Sequence, residues 1–364
     1  MDEATRRLYE TGAAGWVRER RPVYVESGAL KKFAERLPAA ARVADLGCGP
    51  GWYAQELAHQ GARPLAVDFS LAMLREAREL SGVDRVAADL ARLPFARESL
   101  DAALALHSYS HLPLTELPMA LAHLHQSLVD DAPIELTLAP ISGLPEPFCS
   151  RPEDELEWRG DRLLPGRLFS CFRPERARGL LEAAGFLISD LEQSRNWLTL
   201  KGVRAHTLPD YVRPGLRVLF IGLNPSPFAA QSGIPFGRPG NRFWPALQGA
   251  GLFGGSDPFQ ALDAGFGFSD LVKRTTRAAD ELSQPEYQSG LQRTQSLVAR
   301  YRPERVVFVG LAGWRCAVDP KAVPGRIEGG IAGKPLYLMP STSGLNASTQ
   351  LDGFVSHLRR ALEI

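Results

Sequence analysis

Cysteine is scarce: the 364 residues hold four, at positions 48, 149, 171 and 316, with no CxxC pair among them. Such spacing offers neither a zinc or iron–sulfur ligand set nor a disulfide framework, so four reduced thiols and no metal are expected. No apolar run reaches the eighteen or so residues of a membrane span. The opening MDEATRRLYE shows no basic-then-apolar leader pattern, which points to a cytoplasmic protein. Internal repeats and low-complexity tracts are missing as well. Strong charge is also lacking, since the formal net is +1. That balance hides an asymmetry: Thr207 to Ile364 carry 17 Lys and Arg against 12 Asp and Glu, and the residues before them 25 against 29. A basic second half is a modest sign of a polyanionic partner.

The length suits two domains. From Arg42 onward, short apolar runs (RVADLG, RPLAVD, DRVAAD, DAALAL, PIELTL) alternate with helical stretches at 52–60, 70–80 and 115–128. This βαβ grammar predicts a doubly wound, Rossmann-like parallel sheet. The helix PERARGLLEAAGF and two closing antiparallel strands, LISDLE and WLTLKGV, complete it. HTLPDYVRPG then breaks the periodicity with two prolines and a glycine. The expected division is a first domain over 1–205, a linker over 206–215 and a second domain over 216–364. The second domain restarts the α/β pattern with strands RVLFIG, RVVFVG and PLYLMP and helices NRFWPALQGAG, QPEYQSGLQRTQSLVARY and QLDGFVSHLRRAL. A smaller α/β sandwich is predicted.

The first strand runs into DLGCGPG. Gly47, Gly49 and Gly51 allow a sharp bend and close backbone approach to a ligand, and the following helix N-terminus offers free N–H groups. Asp68 and Asp89 end the next two strands, where carboxylates can meet ribose hydroxyls and a purine ring. The ordered set Asp45, Gly47, Gly49, Gly51, Asp68 and Asp89 resembles class I S-adenosylmethionine-dependent methyltransferases over roughly 40–200. Dinucleotide-binding Rossmann units share the spacing but read GxGxxG rather than DxGxGxG. The resemblance implies S-adenosyl-L-methionine as cofactor. It leaves the methyl acceptor open: the Asn/Asp-Pro-Pro-Tyr/Phe segment of adenine N-methyltransferases and the Pro-Cys of cytosine 5-methyltransferases are both missing. His107, Tyr109 and His111 are candidates for base or orienting groups, or for inert cleft lining. Tyr9, Trp16 and Tyr24 are candidates for a lid over the cofactor.

The second distinctive loop is GLNPSPFAAQSGIPFGRPGNRFW, directly after RVLFI. Gly222 at a strand end permits close approach, Pro225 stiffens the turn, and the Asn224 carboxamide can hold a water without being a strong base. Phe236 presents an aromatic face from a glycine- and proline-rich loop. MPSTSGLNAST, after a later strand, places Leu345 at a loop tip. In order, GLNP, PFGRPGNRFW, GFGFSDLVKRTTRAADEL and MPSTSGL resemble the mismatch-specific uracil/thymine-DNA glycosylases over 213–362.

That resemblance implies double-stranded DNA with a mispaired or damaged pyrimidine as partner and a nucleoid association if the source is bacterial. It implies Asn224 as the catalytic water-positioner, a base pocket of Leu223, Ser226, Phe236 and Asp270, and a wedge of Gly344, Leu345 and Asn346. Arg238, Arg242, Lys273, Arg274 and Arg277 become candidates for phosphate contacts. Ser226 stands where many relatives have glycine, GLNA replaces GLSR, and Asp270 replaces Lys or Asn. These departures bear on uracil against thymine preference. Two rivals remain: a methyltransferase whose second domain only binds nucleic acid, and a damage-binding protein with both sites degraded.

Overall fold

The computed structural model describes residues 2–24, 29–77, 80–160 and 164–362, with the side chains of 21–24 and 29 outside the description. The chain forms two compact units, Met1–Ala205 and His206–Ile364.

In the first unit the strands are β1 (Arg42–Leu46), β2 (Arg63–Asp68), β3 (Asp84–Ala87), β4 (Ala102–Ala105), β5 (Pro133–Pro140), β6 (Glu155–Arg159), β7 (Leu168–Phe172), β8 (Phe186–Gln193) and β9 (Leu198–Arg204). Five of them lie parallel in the order β3-β2-β1-β4-β5. β9 then pairs antiparallel with β5, and β8 with β9. Every residue of β4 and of β5 is buried. Strands covered on both faces by helices read as continuous apolar runs, which is why DAALAL and PIELTL were legible. The hairpin β6–β7, which joins the last two residues of β5, was not expected. The end of the helical stretch expected over 70–80 falls partly outside the described residues; its observed part spans Leu71–Glu76.

The second unit holds β10 (Val218–Gly222), β11 (Phe266–Asp270), β12 (Arg305–Val309), β13 (Gly325–Ile331) and β14 (Lys334–Met339). Their order is β11-β10-β12-β14-β13, with only β13 antiparallel. β10 and β11 are buried throughout. Helix Leu351–Leu362 buries Phe354, Val355, Leu358 and Ala361, the stripe that a 3.6-residue period places on one face. Helix Gln284–Tyr301 starts at a capping box in which Glu286 accepts the Ser283 N–H at 2.9 Å.

Residues 206–215 do not act as a spacer; they are built into the second unit. Leu208, Asp210, Tyr211 and Val212 are buried, and Tyr211 exchanges two 2.9 Å backbone hydrogen bonds with Phe268 at the edge of the sheet. The prolines that end the periodicity shape a segment that packs all the same.

Both sheets reverse direction of growth at their first strand. β1 has β2 on one side and β4 on the other, and β10 has β11 and β12. The crevice at the carboxyl end of such a strand is where α/β folds bind ligands. DLGCGPG and GLNPSP each occupy one.

Candidate functional site

After β1, the glycine loop turns with Gly47, Gly49 and Gly51 at φ of 73°, 53° and 77°. At Gly47 a methyl group would stand 2.2 Å from Ser108 Cβ, so glycine is required for space as well as for conformation. Asp45 is buried beneath the loop and accepts the Ala54 N–H at 3.1 Å, which ties the loop to the next helix. Burial pushes its pKa up to about 7. Asp68 accepts the N–H groups of Gly49 at 2.9 Å and Ser70 at 2.8 Å, and burial raises it to about 6. Gly47, Gly49 and Asp68 line one cavity of about 60 Å³, together with Trp52, Phe69, His107 and Ser108. Asp45 and Gly51 support the loop from outside that lining. Asp89 is exposed and caps its own turn by accepting the Ala91 N–H at 2.9 Å.

The N-terminal helix, Glu3–Tyr24, lies across this cleft. The Glu10 carboxylate accepts the N–H groups of Leu71 at 2.7 Å and Ala72 at 3.2 Å, the open donors of the helix after Asp68. Trp16 stacks on Trp52 with 6.0 Å between centroids and lies 3.8 Å from where a Gly49 Cβ would be. Tyr9 and Trp16 are part of the cavity wall, whereas the Tyr24 side chain lies outside the described residues. Ser108 contributes a buried hydroxyl without a hydrogen-bond partner among the described residues, turned into a cleft that has polar capacity to spare.

The two candidate histidines, His107 and His111, line the cavity. His111 Nδ1 lies 2.7 Å from the Leu168 carbonyl and so carries the proton; Nε2 then accepts from Tyr9 Oη at 3.1 Å. Burial, with Arg167 alongside, holds its pKa down at about 3. His107 packs on Trp197 at 4.1 Å, and burial lowers it to about 4. Both imidazoles are neutral and weakly basic at pH 7. Tyr109 is fully buried, its pKa pushed up by that burial, and it takes no part in the cavity lining.

In the second unit, the loop after β10 is fastened to the loop after β11. Leu271 N–H donates to the Gly222 carbonyl and Val272 N–H to that of Leu223, both at 2.9 Å. Asn224 Nδ2 donates to the Arg274 carbonyl at 2.9 Å and to Thr276 Oγ1 at 2.7 Å. A carbonyl can only accept, and the Thr276 hydroxyl already donates to Ala278 O at 2.8 Å. The amide orientation is therefore fixed by its partners, and Oδ1 faces outward as an acceptor.

Phe236 has a left-handed backbone, φ 57°, unusual for an aromatic residue. It is held there by stacking on Phe243 at 4.2 Å and by a 2.7 Å bond from Trp244 Nε1 to the preceding Pro235 carbonyl. The ring edge comes 3.4 Å from where a Gly222 Cβ would stand, and Asp270 Oδ1 comes within 2.4 Å of the same point. Gly222 thus makes room for Phe236 and Asp270 side by side, with Asn224 two residues along. Leu223 packs toward Gly313. Ser226 acts as the N-cap of helix Pro227–Ser232, accepting the Ala229 N–H at 3.2 Å, which gives it a local structural job that a glycine would lack.

Leu345 is 84% exposed at its loop tip. Gly344 approaches the Gly240 carbonyl, where an added Cβ would lie at 3.1 Å. The Asn346 side chain is spent on its own loop, donating to Ser341 O at 2.8 Å and accepting from Ser348 Oγ at 2.7 Å.

The candidate phosphate-binding cations separate into different roles. The Arg242 guanidinium donates to the carbonyls of Thr349 at 2.7 Å, Ser343 at 2.9 Å and Asn346, and lies over the Phe354 ring; it braces the Leu345 loop from within. Lys273 pairs with buried Asp210 at 3.0 Å, so it too points inward. Arg274 makes a two-pronged bond with Glu286, at 2.7 and 3.0 Å. Arg238 and Arg277 are exposed, with no side-chain partner among the described residues. Sequence spacing could not reveal these partners, because Asp210 and Thr349 lie 63 and 107 residues from the cations they bind.

Two parallel-sheet units, each with a crevice at its switch-point strand, define a chain of two α/β domains. Residues 43–131 match the methyltransferase domain family, and residues 209–363 match the uracil DNA glycosylase superfamily over nearly the whole second unit. The protein thus joins a methyltransferase domain to a uracil DNA glycosylase superfamily domain. Among solved structures, it is similar to a Burkholderia thailandensis 1,6-didemethyltoxoflavin-N1-methyltransferase bound to 1,6-didemethyltoxoflavin and S-adenosylhomocysteine. Identity there is 20%, with 54% of this chain and 88% of that one covered and a TM-score of 0.42. A Mesorhizobium loti S-adenosylmethionine-dependent methyltransferase matches at 21% identity over 49% of this chain and 99% of its own, TM-score 0.42. Among the described residues no helix is long and apolar enough to cross a membrane, and no His/Cys/Asp/Glu cluster is arranged to hold a metal.

Proposed function

We propose that the second domain hydrolyses the N-glycosidic bond of uracil or thymine in G·U and G·T mispairs. The observation that carries this reading is the locked Asn224 amide, whose Oδ1 is the one polar atom of that side chain left for a water. A base stacked inside a duplex cannot be reached, so the nucleotide must be extruded; a wobble pair costs less to open. Leu345, held out on its braced loop, fills the space left in the stack. Phe236 receives the flipped ring face, and the neighbouring backbone N–H groups meet its polar edge. Asn224 Oδ1 accepts a hydrogen bond from the attacking water and aims its oxygen at the anomeric carbon. Asn224 takes no proton, so the rate depends on departure of the base as a stabilised anion. Among the candidate cations, Arg238 and Arg277 remain available for the phosphate backbone.

For the first domain, the reading is binding of S-adenosyl-L-methionine, which when bound supplies an electrophilic methyl group. The residues fit: Gly47 and Gly49 admit close backbone approach, Asp68 ends β2 where it meets ribose hydroxyls, and Ser108 offers an unused hydroxyl. Tyr9 and Trp16 form part of the cavity wall, which gives the N-terminal helix the role of a lid over the bound cofactor.

The test for the second domain is a labelled duplex with one G·U or G·T pair, incubated and then treated with alkali. Cleavage by the wild type, lost in Asn224→Ala, is expected. No cleavage, or equal cleavage by both, would leave the domain as a binding module only.

A further inference from the structure

Asp210, Asp270, Lys273 and Arg293 lie together below the second cleft, and their pairing is lopsided. Lys273 bonds Asp210 at 3.0 Å and Arg293 bonds it at 2.6 Å, while Arg293 also reaches Ser269 Oγ at 3.1 Å and the backbone carbonyl of Asp270. Both cations are thus committed to Asp210. The Asp270 carboxylate accepts no hydrogen bond among the described residues although it is only 8% exposed. It is turned over Gly222, beside the Phe236 ring edge. A buried carboxylate without donors is costly, and the cheapest relief is a proton.

We propose that Asp270 works as a neutral carboxylic acid that reads the 3-NH, 4-keto edge of the extruded pyrimidine, accepting from N3–H and donating its own proton to the adjacent ring carbonyl. This rests on the glycosylase reading of the site and deepens it. A neutral acid presents one donor and one acceptor, as an amide would. An ionised carboxylate presents two acceptors and sets a negative charge against the ring carbonyl. The conflict grows during the reaction: the C1′–N1 bond breaks with its electron pair passing to the base, so the leaving ring is an anion. The acid stabilises that anion by hydrogen bonding without transferring its proton. The water held by Asn224 forms the new C1′–O bond, its proton passes to solvent, and the freed base is protonated from solvent. Burial raises the Asp270 pKa to about 6; Asp210 adds to the rise, while Lys273 and Arg293 oppose it. A base seated on the acid excludes water further and moves the midpoint upward.

The sign follows directly. The active form is protonated, so excision proceeds at its plateau below the midpoint and falls about tenfold per pH unit above it. The experiment is single-turnover excision of uracil from a G·U duplex with enzyme in excess, from pH 5 to 9, by wild type and Asp270→Asn. The wild type is expected to lose rate above the midpoint. Asp270→Asn, whose amide keeps the donor–acceptor pair, should be flat over that range and exceed the wild type at pH 8 by about tenfold or more. Circular dichroism melts and duplex-binding titrations across the same pH range separate folding and binding from chemistry. Parallel pH profiles for the two proteins would overturn the proposal alone. So would a wild-type rate that rises through pH 6 with an inactive but folded Asp270→Asn, which would make Asp270 an ionised base. Absence of excision by both at every pH removes the glycosylase reading and this proposal with it.

Discussion

Thr276→Val isolates the orientation of Asn224 from its presence. The wild-type amide is held chiefly by the Arg274 carbonyl at 2.9 Å and Thr276 Oγ1 at 2.7 Å, with the Pro225 carbonyl at 3.3 Å as a weaker third acceptor. Valine keeps the shape and removes the second acceptor, together with the hydroxyl's own 2.8 Å bond to Ala278 O. Each net hydrogen bond is worth about 1 kcal/mol, so the domain loses roughly 2 kcal/mol. For a domain of this size that lowers the melting temperature by about 4–8 °C. The restraint on the amide itself weakens by about 1 kcal/mol, a factor of about 5 in the equilibrium between the held and the released amide. The expected result is a kcat lower by up to about fivefold on a G·U duplex with KM unchanged, recovered in Thr276→Ser. Asn224→Ala, which removes the acceptor outright, should lose at least about 100-fold. Single-turnover rates and calorimetric melts on the same preparations provide both readouts. Unchanged kcat in Thr276→Val despite the lowered melting temperature would show that Thr276 does not position the amide. Wild-type rate in Asn224→Ala would refute the water-positioning argument itself.

Leu345→Ala should alter stability by less than about 0.5 kcal/mol, since the side chain is almost fully exposed. Excision from a mispaired duplex should fall by about tenfold while excision from single-stranded uracil DNA holds, because only the duplex needs a wedge. Arg242→Ala removes donors to the carbonyls of Thr349, Ser343 and Asn346, and should cost more than about 2 kcal/mol while bringing duplex excision down at least as far as Leu345→Ala. In the first domain, Asp68→Asn should weaken S-adenosylmethionine binding by about tenfold or more in calorimetric titration. With Asp68 at about 6 from burial, it is the ionised form above that pH that accepts ribose hydroxyls, so wild-type affinity should fall as pH drops from 7 to 5 and Asp68→Asn should not follow. An unchanged pH profile in that variant would exclude Asp68 from the ribose contact.

The legible part of the fold was the part written in local patterns. β1, β2, β4, β5, β10, β12 and β14 announce themselves as β-branched or small apolar runs because both faces are covered. β11 was missed as a strand because GFGFSD carries two glycines, and β6 and β7 because an isolated hairpin at a sheet end alternates weakly. Gly222 and Asn224 at a strand end, and Phe236 in a glycine- and proline-rich loop, could be picked out as candidates from residue type alone, and the structure sets Phe236 beside Gly222. The cations were not. A cation that braces the fold and one left exposed look identical in sequence, and only Thr349 for Arg242 or Asp210 for Lys273, distant along the chain, tells them apart. The Glu10 contact with the helix after Asp68 and the Tyr9–His111 bond across 102 residues were likewise invisible.

The arginine under the Leu345 loop also bears on how such a domain would search. A leucine held at 84% exposure by guanidinium–carbonyl bonds is a stiff tooth, already erect before any duplex arrives. Ordering it consumes no binding energy at the lesion, and little about it changes from one base pair to the next. On the proposed glycosylase reading, discrimination during scanning would fall to the duplex: the tooth would press equally everywhere, and only a step whose own pairing is weak would give way within the time of contact. A floppy loop would instead make each interrogation a folding event, and the slow partner in the encounter would be the protein rather than the mispair.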